Sequence, residues 1–125
     1  MTPERFSSLK RLFYEIALVR GRTREDMVKN ALDYLVNEGK LDGYDVSDDL
    51  DRKKRIDFYP FSGSKRYKIQ VKSSPRGVEE ALRKHPSDIK DKIFIVPDLG
   101  ETPQDLADRI MSEIKAVEER FKQGD

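Results

Sequence analysis

Arg55-Ile56-Asp57-Phe58-Tyr59-Pro60-Phe61-Ser62-Gly63-Ser64-Lys65-Arg66-Tyr67-Lys68-Ile69-Gln70-Val71-Lys72 is the stretch whose reading decides the fold. At its start Ile56 and Phe58 oppose Asp57; at its end Ile69 and Val71 oppose Gln70 and Lys72. A period of two is that of a half-buried strand. Pro60-Phe61-Ser62-Gly63-Ser64, between the two runs, is turn chemistry, so an antiparallel hairpin is expected. In a compatible register Asp57, Gln70 and Lys72 share one face.

Helical spacing takes over on the N-terminal side. Thr2-Pro3 is a good helix start, Phe6, Leu9, Leu12, Phe13, Ile16 and Val19 form an apolar stripe, and Gly21 ends it. Thr23, with Asp26 three residues later, opens a second helix, whose buried face is Val28, Ala31, Leu32 and Leu35 and whose stop is Gly39. The acidic, turn-rich stretch from Leu41 to Asp51 leaves room for one short strand near Tyr44 to Val46.

On the C-terminal side, Ser73-Ser74-Pro75-Arg76-Gly77 reads as a loop and Val78 to Lys84 as a short helix. Lys92-Ile93-Phe94-Ile95-Val96 has the apolar run of a buried strand. Thr102-Pro103-Gln104-Asp105 starts a long final helix with Leu106, Ile110, Ile114, Val117 and Phe121 on one face. The helix before the last strand implies a crossover. The expected fold is therefore α/β, a mixed sheet of about four strands with helices on both faces.

Composition narrows the chemistry. The 125 residues fit one domain, with no linker, repeat or low-complexity segment. No apolar run approaches the roughly 20 residues of a membrane span. Met1-Thr2-Pro3-Glu4-Arg5 lacks the order of a secretion signal, so a cytoplasmic location is expected. Absence of cysteine excludes disulfides and thiolate zinc sites, and His85 as sole histidine excludes a multi-imidazole site. Any metal must be held by oxygen, which favours magnesium, manganese or calcium.

The net charge of +1 conceals segregation. From Arg52 to Lys84, eleven Lys and Arg face Asp57, Glu79 and Glu80, a local excess of eight that leaves −7 elsewhere. Such a basic block is an electrostatic footprint for phosphate, although a solvated hairpin accounts for it equally well. Within it a carboxylate, an amide oxygen and an ammonium on neighbouring strands form the minimal set for holding a divalent cation beside a phosphodiester.

These residues resemble the PD-(D/E)-x-K nuclease superfamily, with its restriction-endonuclease-like core of helix, three strands, helix, strand. Arg55-Ile56-Asp57-Phe58 looks like the first motif and Ile69-Gln70-Val71-Lys72-Ser73-Ser74 like the second, with Gln70 where Glu or Asp is commoner. The resemblance covers about residues 23–96, leaving the first and last helices as additions. It implies a magnesium- or manganese-dependent DNA endonuclease in which Asp57, Gln70 and Glu25 hold the metal and Lys72 stabilises the attack. Glu15 is the second candidate for the helix carboxylate. Possession of the fold does not by itself establish the activity.

Arg22, Arg24, Lys54, Lys65, Lys68 and Arg76 are the cations expected to grip DNA, with Arg20 beside them. Ser73 and Ser74 are expected to punctuate a loop, and His85 to cap a helix. The final helix offers a dimer surface, since a two-fold dimer would cut both strands. Two rivals stand beside the nuclease: a nucleic-acid-binding module that lost catalysis, for which Gln70 argues, and a protein-interaction subunit using the final helix.

Overall fold

In the computed structural model, which describes residues 23–47 and 56–123, the chain enters as a helix, α1 (residues 23–37). Thr23 is already helical, so it lies inside α1 rather than capping it. The helix stops where expected: Gly39 takes φ +73°, the Gly39 N–H donates to Val36 C=O (3.0 Å), and the Lys40 N–H donates to Leu35 C=O (2.9 Å). These paired bonds satisfy the last carbonyls around a left-handed residue. The predicted first helix, with Glu15, Arg20 and Arg22, lies outside the described residues, as does Lys54.

Strand β1 (Gly43–Val46) pairs antiparallel with β2 (Phe58–Ser62), which pairs antiparallel with β3 (Lys65–Arg66) and β4 (Lys68–Val71). Helix α2 (Pro75–Lys84) and a 3-10 turn (Pro86–Lys90) lead to β5 (Lys92–Ile95), which runs parallel to β4. Helix α3 (Pro103–Gln123) follows. The sheet order is β1-β2-β4-β5, with β3 beside β2, so the fold is α/β with a mixed five-stranded sheet.

Pro60 corrects the sequence reading, because it lies inside β2 and not in the turn. The turn is Gly63-Ser64 alone, with Gly63 at φ +60° and its N–H donating to Asp42 Oδ2 at 2.6 Å. Opposite Pro60, the Tyr67 N–H donates to the Pro60 carbonyl (2.8 Å), but proline has no N–H to return. The ladder therefore fails at Tyr67 and divides the second arm of the hairpin into β3 and β4.

The loop expected over residues 73–77 is also corrected. Ser74 caps α2 by accepting from the Gly77 N–H, and Pro75 occupies the first helical turn. This serine–proline pair is a standard helix start, favoured because its oxygen satisfies an orphan N–H and its ring presets φ. His85 stands at the end of the helix, as expected, but closes it through its backbone N–H to Ala81 C=O and not through its imidazole.

Register assigns the two faces of the sheet. Ile69 pairs with Ile93 and Val71 with Ile95, and these side chains pack with Phe58 and Tyr67 against Val28, Leu32 and Leu35 of α1 and Leu106, Ile110, Ile114 and Val117 of α3. The opposite face carries Lys68 beside Lys92 and Gln70 beside Phe94. The Lys72 stem lies about one van der Waals contact from Gly77 of α2, which places α2 on this second face. Phe121 departs from expectation: a turn beyond buried Val117, it is 58% exposed.

Two tyrosines fasten the sheet to the helices. The Tyr44 hydroxyl donates to Asp33 of α1 (2.6 Å), and the Tyr67 hydroxyl donates to Glu118 of α3. Burial, then the adjoining carboxylate, pushes both hydroxyls from the ordinary 10 up to about 12. A raised folded value means that the neutral form is favoured on folding, so this stabilisation is complete below pH 10 and lost as pH rises through 12. Urea denaturation across that alkaline window should show falling stability in the wild type and a shallower fall in the Tyr44→Phe/Tyr67→Phe double variant.

Candidate functional site

Asp57 lies just before β2, where the antiparallel ladder is irregular. The Asp57 N–H donates to Ile69 C=O (2.8 Å), yet the register already sets Ile69 opposite Phe58. Two residues against one is the count of a β-bulge, which bends a strand and re-aims a side chain. Here it turns the half-buried Asp57 carboxylate toward β4, where Oδ2 accepts the Val71 N–H at 2.7 Å. A carboxylate thus takes the place of a backbone carbonyl in the ladder. The Asp57 carboxylate meets the backbone of Val71, the residue between Gln70 and Lys72.

Lys72 follows β4 and extends its parallel pairing, with its N–H donating to Ile95 C=O (2.8 Å). Its half-buried side chain lines a cleft of about 250 Å³ with Arg24, Glu25, Val71 and Ser73. Glu25, on the first described turn of α1, thus lies at the C-terminal end of β4, in the same cleft as Lys72. In sheets with parallel strands this end is where ligands gather. Gln70 is 8% exposed and lies on the face opposite Val71; neither it nor Asp57 lines the cleft.

Arg24 carries a signal that spacing alone did not provide. Its Nε is enclosed and has no hydrogen-bond acceptor among the described residues. A buried unpaired donor costs about 1–3 kcal/mol, more for a charged group, which makes this guanidinium, on the cleft lining, a candidate for an anionic partner.

By type Asp57, Glu25 and Gln70 are hard oxygen donors, but only Glu25 lines the cleft. Among the described residues no three His, Cys, Asp or Glu side chains form a metal-holding group.

The other predicted DNA contacts divide into two regions. Arg76 is on the first turn of α2, near the Lys72 end of β4, and its Nε is 3.6 Å from Glu80. Lys68 stands at the far end of β4, 3.2 Å from Asp91, and Lys65 meets Glu118 at 3.7 Å. Arg66 lies 4.5 Å over the Tyr59 ring and bonds Asp45 at 2.8 Å. The basic block is thus re-paired in space with acids from β1, the 3-10 connection and α3.

No helix among the described residues is long and apolar enough to cross a membrane. No protein-family profile, curated protein or solved structure matches the chain.

Replacing Asp57 separates its structural and chemical roles. Asp57→Asn retains an oxygen for the Val71 N–H and should stay within about 1 kcal/mol of wild type, whereas Asp57→Ala should lose about 1–3 kcal/mol in urea denaturation by orphaning that donor.

Proposed function

We propose that the chain is a metal-dependent endonuclease that hydrolyses DNA phosphodiester bonds, on a restriction-endonuclease-like scaffold. What supports this reading is the end of β4: Lys72 and Glu25 line one cleft with Arg24 and Val71, and Asp57, which does not itself line the cleft, accepts the backbone N–H of Val71. The sheet supports it as well, since an antiparallel hairpin, a helical crossover and a parallel strand follow one another in the expected order.

Asp57, Glu25 and the Gln70 side-chain oxygen would hold magnesium or manganese. When bound, such a cation polarises a phosphoryl oxygen and makes a coordinated water more acidic. The remaining work falls to the chain. Arg24 Nε donates to a non-bridging phosphate oxygen, and Lys72 places its ammonium where negative charge grows during attack by water. Phosphorus gains a bond to the water oxygen and loses one to the leaving sugar oxygen, giving a phosphate monoester and a hydroxyl. Because Val71 fixes Asp57 beforehand, that carboxylate needs little reorganisation.

A second reading has its own support: a nucleic-acid-binding module of the same fold without catalysis. Gln70 is buried and uncharged, and one Asp57 oxygen is committed to the ladder.

Cleavage of supercoiled, linear and four-way-junction DNA with magnesium or manganese distinguishes them. Wild type should cut, with Asp57→Asn and Lys72→Ala slower by about 100-fold or more. Equal cutting by all three proteins, or no cutting by wild type on any substrate, would contradict the nuclease.

A further inference from the structure

A groove of about 370 Å³ lies between the hairpin and the C-terminal half of α3, lined by Lys65, Arg66, Tyr67, Glu118, Phe121 and Lys122. Its volume is within the range of small-ligand sites, roughly 300–1,000 Å³. One wall is fixed. Tyr67 is 6% exposed and its hydroxyl donates to Glu118, which ties the start of β4 to α3. Lys65 meets the same carboxylate at 3.7 Å.

The other wall presents an aromatic ring to solvent. Phe121 continues the buried line of Ile110, Ile114 and Val117 but is 58% exposed. Around it the side chains of Lys65 and Lys122 are 63% and 72% exposed, and their carboxylate contacts, at 3.7 and 3.6 Å, are at the loose end of ion pairing. Lys65, Arg66 and Lys122 stand against one lining carboxylate, Glu118, while Asp45 and Glu119 pair Arg66 and Lys122 from outside the lining. The groove offers an exposed aromatic ring together with exposed cations.

That combination fits an unpaired stretch of DNA. Its bases have exposed faces for stacking on Phe121, and its phosphates can exchange with the carboxylates now near Lys65 and Lys122. Duplex DNA supplies the phosphates but keeps its base faces within the stack. We infer that this groove binds a single-stranded segment of a nucleic-acid substrate, making DNA that joins paired and unpaired regions the preferred substrate class. The inference rests on the DNA-directed reading above, but uses a surface separate from the Asp57 and Lys72 region.

Binding without cleavage tests it separately from the nuclease. Fluorescence anisotropy in EDTA, with a labelled oligothymidine and a blunt duplex of equal length, should show tighter binding of the single strand. Phe121→Ala should weaken that binding about ten-fold, and Phe121→Trp should restore it. Lys65→Glu/Lys122→Glu should weaken it further and flatten its salt dependence. Wild-type affinity in Phe121→Ala would overturn the inference, as would preference for duplex or absence of single-strand binding. So would equal competition by an acidic aromatic peptide, or a protein dimer in sedimentation that Phe121→Ala dissolves. Metal-dependent cleavage with no single-strand binding would sink this groove while sparing the nuclease; single-strand binding without cleavage would do the reverse.

Discussion

The bond from the Val71 N–H to the Asp57 carboxylate holds the sheet together where its backbone pairing is weakest. Pro60 denies β2 one ladder bond and the bulge at Asp57 displaces another, so β2 and β4 share a single paired position, Phe58 with Ile69. A charged acceptor at 2.7 Å makes a stronger bond than a neutral carbonyl and compensates locally. The same bond fixes the carboxylate against the backbone of Val71, the residue before Lys72. β4 pairs antiparallel on one side and parallel on the other.

Charge is organised differently in space and along the chain. Lys65, Lys68, Arg66 and Arg76 each find an acid, yet these pairs are largely exposed, with side-chain exposures of 45–87% for the cations. Exposed pairs are worth about 0–1 kcal/mol each, little enough for a phosphate to replace the carboxylate. Arg24 contrasts with them because its enclosed Nε has no acceptor among the described residues.

Much of this was legible in the sequence where one physical signal dominated. The two-residue alternation of Lys68 to Val71, the apolar run of Lys92 to Ile95 and the helical stripe from Leu106 to Val117 each correspond to an observed element. Gly39 was legible as a helix stop because a left-handed residue is needed there. The turn was misread because proline usually breaks strands, whereas Pro60 sits where only the broken side of the ladder needs its N–H. Ser74-Pro75 was read as a loop although it carries a capping signal. Phe121 has core spacing but faces an open groove beside Lys65 and Arg66, where nothing among the described residues covers it. Bringing Glu25 to Lys72 was anticipated through resemblance; the Asp57 bulge and the enclosed Arg24 Nε arise from tertiary contacts that no local pattern encodes.

The central claim is that Asp57, Glu25, Gln70 and Lys72 form one cation-and-phosphate site at the end of β4. Paramagnetic broadening of backbone amide signals during manganese titration tests it most directly. The account predicts early, saturable broadening at Asp57, Gln70, Val71, Lys72 and Glu25, abolished in Asp57→Asn with the fold intact. Broadening centred away from the end of β4, or uniform broadening without saturation, would contradict it.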